Sequence, residues 1–307
     1  RTVERILEDL AARHLLVYPF AGFFGRAANR PTQPQEQELY VRYTLARFGA
    51  YWNVLLNVSG PEPLLRTRPT MTRAEVNRLG TLIASLDVYS HPLSAHNRTG
   101  DDEFMGEPWP TYTILQGPKT VDLDRLGDTL LACHHPARPL YAQETLWSGN
   151  QHGHPDYSDT ELRKNAYVIA MSAAALNFSD NGGPHIEDIG NSSSGFSGTL
   201  DPGDRRQWRH DIVTRVWDFF ETIPFYSMHA RQDLVSAGRC LAREGVRYLV
   251  YLPCGGAVDV AVQGGPYQAT WINAQHTTDR RPATPAGHCR RWVAPADGDD
   301  WLLYLAR

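Results

Sequence analysis

The chain has 307 residues, 42% of them hydrophobic and 21% charged, with a formal net charge of −4. That length exceeds one small core and suits one large domain with a smaller companion. The slight negative charge argues against nucleic acid or an anionic membrane surface as a partner, and no apolar run is long enough to span a bilayer.

The first stretch, Arg1 to Leu10, reads as an amphipathic helix with Val3, Ile6, Leu7 and Leu10 on one face. It is not a signal peptide. The chain lacks an initiator Met and opens inside an element, so a preceding piece is expected. An export signal there would make the protein secreted or periplasmic; localisation is otherwise open. Leu15 to Phe20 reads as a buried strand running into a Gly- and aromatic-rich loop. Gln35 to Phe48 is helical. Asn53 to Val58 is the next strand, followed by Ser59-Gly60-Pro61-Glu62-Pro63. Thr72 and Glu75 make a capping box for a helix to Arg78, and Leu79 to Leu86 either continues it or forms a short strand.

A polar loop from Tyr89 to Gly100 carries His91 and His96. Thr111 to Gln116 is a strand by alternation and β-branching, and Asp122 to Cys133 a helix. Leu140 to Ala142 reads as a short buried strand that stops at Glu144, beside an exposed Trp147. Glu161 to Ala175 is an apolar helix, and Leu176 to Asp180 a strand end. Ser192 to Asp201 reads as a Ser- and Gly-rich loop, and Asp204 to Glu221 as a last helix with Trp208, Ile212, Val216 and Phe219 inward.

Short strands alternating with helices predict a parallel sheet or barrel. Beyond Asp233 the rhythm changes. Val246–Leu252, Val258–Val262, Gln268–Asn273, Arg291–Ala294 and Trp301–Leu305 are strands between Gly- and Pro-rich turns. They predict a small antiparallel β-sandwich. The expected domains are therefore 1–232 and 233–307. The four cysteines, Cys133, Cys240, Cys254 and Cys289, show no metal spacing and read as buried free thiols. Asn57, Asn97, Asn177 and Asn191 each open an Asn-x-Ser/Thr triplet, a pattern short enough to arise by chance.

Two predicted strand ends carry a carboxylate, Glu62 and Glu144. Retaining glycosidic cleavage needs such a pair about 5–5.5 Å apart, one as acid and one as nucleophile. Strands of one barrel would hold that spacing rigidly. Trp147, Asn150 and His152 follow Glu144 and either shape a sugar subsite or simply pack their loop. His91 and His96 are candidates for hydroxyl binding or for assisting a carboxylate. A metal site from His91, His96 and Asp101 has no supporting spacing. Gln116 ends a strand on the same rim, and Asn177 joins this substrate-binding set. Asp180 is a reserve carboxylate, whereas His134 and His135 fall on the opposite rim.

The run Arg47-Phe48-Gly49-Ala50-Tyr51-Trp52-Asn53-Val54, with Gly60-Pro61-Glu62 after it, resembles the fourth-strand region of apiosidase-like glycoside hydrolases. Arg138-Pro139-Leu140-Tyr141-Ala142-Gln143-Glu144 resembles their seventh strand, and Ala173 to Phe178 their eighth. Phe225 to Met228, Tyr248 to Pro253 and Ala269 to Asn273 resemble the small C-terminal β-domain that carries a collagen-binding label. Two departures stand out. Ser59-Gly60-Pro61-Glu62 replaces Gly-Gly-Asp, setting Glu62 one residue out of register. Two strands are also missing before Leu15.

The resemblance implies a (β/α)8 barrel of the TIM type lacking its first strands, with a C-terminal sandwich. It also implies retaining hydrolysis of a plant or microbial polysaccharide side chain, with Glu144 as nucleophile and Glu62 as acid. No cofactor is expected, and the chain is expected to act as a monomer on an oligo- or polysaccharide. The alternative is a non-catalytic carbohydrate-binding or structural protein on a degenerate barrel. A metal-dependent barrel hydrolase is the third reading.

Overall fold

The computed structural model describes residues 2–25, 29–60, 63–64, 69–148, 155–180, 209–286 and 290–307. The chain divides into two compact units. One takes residues 1–116 and 133–141, the other 117–132 and 142–307.

In the first unit, α1 (Thr2–Ala12) buries only Leu7. Val3 and Ile6, expected to turn inward with it, are half exposed. The expected strand from Leu15 to Phe20 is reduced to a single parallel bridge, Val17–Val54. Val17 gives its N–H to Asn53 O and accepts that of Leu55. α2 (Pro34–Phe48) starts on a proline, whose missing N–H costs nothing in a first turn. β1 (Leu56–Asn57) follows. α3 (Arg73–Leu86) carries the expected capping box, with Thr72 and Glu75 each satisfying the other's backbone N–H. It runs unbroken to Leu86, so Leu79–Leu86 is helix; Leu79 and Ile83 lie one turn apart and both are fully buried.

β2 (Leu93–Ser94) pairs parallel with β1, and β3 (His96–Thr99) pairs parallel with β4 (Thr113–Gln116). The core joins Phe24, Val41, Val58, Val76, Leu79 and Ile83. β1 and β2 are joined through α3, the crossover a parallel pair requires, whereas β3 and β4 are joined by a loop.

The second unit begins with α4 (Leu123–Ala132). β5 (Leu140–Ser148) starts in the first unit, next to β4 in the sheet, and continues in the second beside β6 (Ala174–Asp180). α5 (Asp159–Met171) has a second capping box, Ser158 with Glu161, and buries its whole length from Tyr167 to Met171. α6 (His210–Glu221) follows.

β7 (His229–Ala230), β8 (Arg239–Arg243), β9 (Arg247–Leu252), β11 (Gln268–Asn273), β12 (Arg280–Pro282) and β14 (Trp301–Ala306) form an antiparallel sheet in the order β12-β11-β14-β9-β8-β7. β10 (Ala257–Asp259) and β13 (Arg291–Val293) form a separate antiparallel pair. β8 and β12 are strands the sequence pattern did not reveal.

Trp271 and Trp301 sit in the sheet's own core, with Tyr248, Val250, Val258 and Leu303. The sheet's join to α5 is polar and buried. Arg163 of α5 pairs with Asp300 at 3.0 Å, Tyr251 donates to the same carboxylate at 2.9 Å, and Tyr167 donates to Ala274 O. The Tyr167 and Tyr251 rings stack with centroids 4.9 Å apart. Phe225 packs on Trp217 and Phe220 of α6, while Tyr226 is exposed.

Candidate functional site

In the first unit the parallel strands end in a polar and aromatic knot. Asn57, fully buried at the end of β1, donates from Nδ2 to Phe20 O at 2.7 Å and to Tyr18 Oη at 3.1 Å. It thereby ties the Tyr18–Phe20 segment to the strand. Gly60 comes close to the same loop. A Cβ there would stand 2.2 Å from Phe20 O, which only glycine avoids. The fully buried His96 ring meets Phe20 edge-on at 4.9 Å. Gln116 is buried at the end of β4, where its carbonyl accepts the Gly100 N–H.

His91 lies before β2, not at a strand end. Its Nδ1 faces the Asp87 carboxylate at 2.9 Å, and its Nε2 faces Tyr51 O at 3.2 Å. Both ring nitrogens are therefore engaged by the protein itself. Glu62, Asn150, His152 and Cys289 lie outside the described residues. Among the described residues no cluster of three His, Cys, Asp or Glu is placed to hold a metal, and no helix is long and apolar enough to cross a membrane.

The residues of the Arg47 and Arg138 motifs hold the first unit together. Arg47 bonds Glu4 and Tyr43, and Asn53 donates to Leu7 O and Leu15 O. Arg138 donates to the carbonyls of Phe104, Met105 and Glu107.

In the second unit, β5 does not stop at Glu144. It runs on through Thr145, Leu146 and Trp147 to Ser148. Trp147 is consequently buried at 3% exposure, not an exposed loop residue. Its place in a packed strand is the reason. From Ala142 to Trp147 every residue is buried except Glu144.

Glu144 has φ of +50°, a left-handed conformation inside a strand. For a residue with a Cβ this costs about 1–2 kcal/mol. Two hydrogen bonds to neighbouring segments brace it. The Glu144 N–H is donated to Asn177 Oδ1 of β6 at 3.1 Å. On the next residue, Thr145 Oγ1 accepts the N–H of Gly117 at 2.9 Å. A Cβ on Gly117 would lie 2.4 Å from the Thr145 methyl, so the close approach needs glycine. Asn177, expected to contact substrate, thus bonds the backbone of the predicted nucleophile. Thr145 and Gly117 were missed. The apolar Thr-Leu-Trp run after Glu144 was the available sign that the strand continues.

No family model matches the chain, and no curated sequence is similar enough to count as a relative. Solved structures do resemble it. A glycoside hydrolase of family 5 from Bacteroides vulgatus ATCC 8482 superposes with a TM-score of 0.70 at 16% identity, over 99% of this chain and 73% of that one. Another structure described as a glycoside hydrolase gives 0.58 at 15% identity, over 90% and 69%. The family 30 subfamily 8 xylanase Xyn30A from Clostridium acetobutylicum gives 0.52 at 9% identity, over 98% and 82%. The chain therefore has a mixed α/β fold shared with glycoside hydrolases.

Proposed function

We propose that this chain is a retaining glycoside hydrolase of the apiosidase-like kind. In this reading residues 1–232 form a (β/α)8-type barrel and residues 233–307 a β-sandwich. The observation that carries the reading is Glu144, held in a left-handed kink within β5 on a fold shared with glycoside hydrolases. Such a residue keeps a costly conformation only where its surroundings over-determine it, and such positions cluster at active sites.

The Glu144 carboxylate attacks the anomeric carbon, while Glu62 protonates the departing glycosidic oxygen. The glycosyl ester on Glu144 is then cleaved by water, which gives its proton to Glu62. The net result is retention at the anomeric carbon, a mechanism that in general calls for carboxyl groups about 5–5.5 Å apart. Asn150 and His152 are assigned to the sugar-binding walls. His91, His96, Gln116 and Trp147 are buried in the protein's own packing and are left out of that set. The substrate is an oligo- or polysaccharide side chain; the reading needs no cofactor and no second subunit.

A panel of aryl glycosides and plant polysaccharides tests the proposal. Glu144→Gln is expected to abolish turnover while sugar binding, followed by calorimetry, persists. The first-formed product anomer, read by NMR, should match the substrate. Undiminished turnover in Glu144→Gln overturns the assignment. Binding without turnover in the wild type would instead favour a carbohydrate-binding protein on a degenerate barrel.

A further inference from the structure

We infer that Asn177 is a positioning residue: its side-chain carbonyl fixes the backbone of Glu144, and so the direction of the Glu144 carboxylate. The inference rests on the reading of Glu144 as nucleophile. In a regular strand the N–H of each residue either joins a ladder bond to a neighbouring backbone carbonyl or faces away from that neighbour. At Glu144 the strand turns left-handed, and the N–H goes to Asn177 Oδ1 on β6. A side-chain acceptor can sit where the turned N–H points, which a backbone carbonyl in register cannot.

The kink is braced on the following residue as well, by the Gly117 N–H on Thr145 Oγ1. Asn177, by contrast, bonds Glu144 itself. Its carbonyl is therefore committed to the protein backbone. A residue that only contacted substrate would govern binding. A residue that holds the nucleophile governs the chemical step, where a misplacement of about 1 Å can cost on the order of 100-fold in rate.

The experiment compares the wild type with Asn177→Ala and Asn177→Asp, using a dinitrophenyl glycoside from the panel and amide exchange at Glu144 followed by NMR. Asn177→Ala should lower kcat by about 10- to 100-fold with KM within about threefold. The Glu144 amide should exchange at least about tenfold faster, since it has lost its acceptor. Asn177→Asp keeps an oxygen in place and should restore amide protection. It should move the acid limb of the kcat profile to higher pH, because the new charge beside Glu144 disfavours ionisation of its carboxyl.

A rise in KM alone for Asn177→Ala, or an unchanged exchange rate, overturns the inference. A Glu144→Gln enzyme that still turns over overturns the underlying functional reading instead, as does a wild type inert towards every glycoside. In either of those cases the exchange comparison still decides whether Asn177 holds the Glu144 backbone.

Discussion

His14 and Glu144 both adopt left-handed conformations, with φ of +57° and +50°, for different reasons. His14 closes α1: Leu15 N–H reaches Leu10 O at 2.9 Å and His14 N–H reaches Ala11 O at 3.0 Å. That is a helix-ending turn in which glycine is the unstrained residue. His14→Gly is expected to raise stability by about 1 kcal/mol, read as a higher urea midpoint. Glu144 takes the same strain at a proposed catalytic position. Glu144→Gly should accordingly be more stable than Glu144→Ala by about 1 kcal/mol, with both inactive. Equal midpoints for the two would mean the kink relaxes in the variants.

Cys240 makes a residue-scale prediction in pH. Burial first, and the negative charge of Asp233 second, push its thiol up from 9.0 to about 12. A folded-state value above the unfolded one gives stability that is full below the unfolded value and lost as pH rises through the folded one. The wild type should thus lose about 1 kcal/mol to this group by pH 10, and Cys240→Ala should lose correspondingly less over that interval. Urea midpoints measured between pH 8 and pH 10 check it.

At the scale of elements, β8 is pinned to α4 by one buried side chain. Arg239 reaches Asp128 at 2.7 Å, Asp124 Oδ1 at 3.1 Å and Asp124 O at 3.0 Å. The two carboxylates are 72% and 93% exposed, so solvent screens their share. The contact with the helix backbone and the packing of the guanidinium against Gly127 are the shielded part. Arg239→Met should cost about 1–3 kcal/mol, whereas Asp124→Asn should cost under about 1 kcal/mol. Equal costs would show that the ion pair, not the buried contact, joins the two elements.

Across the chain as a whole, the buried join in the second unit makes α5 and the antiparallel sheet one cooperative body. Asp300 is 1% exposed and is satisfied by Arg163 and Tyr251 together. Arg163→Met leaves that carboxylate with one donor and should cost about 3 kcal/mol; adding Asp300→Asn should recover part of it. In the wild type, amides of α5, β9 and β14 should share one opening free energy in hydrogen exchange. An α5 that opens independently of the sheet would refute the single body.

By itself the sequence determined what is local or periodic. The alternation of short strands with helices, the box at Thr72, and the change to strands beyond Asp233 follow from side-chain spacing and turn residues. It also singled out Glu144. Only the tertiary structure decided what depends on neighbours far along the chain. β5 is braced at its kink by Asn177 of β6, 33 positions from Glu144, and by Gly117, 28 positions from Thr145. Trp147 is buried because that strand continues, and Leu15–Phe20 keeps one bridge because a strand needs a partner along its edge. Pattern records which face of a segment is apolar; a partner must be in place before it becomes a strand, a kink or a site.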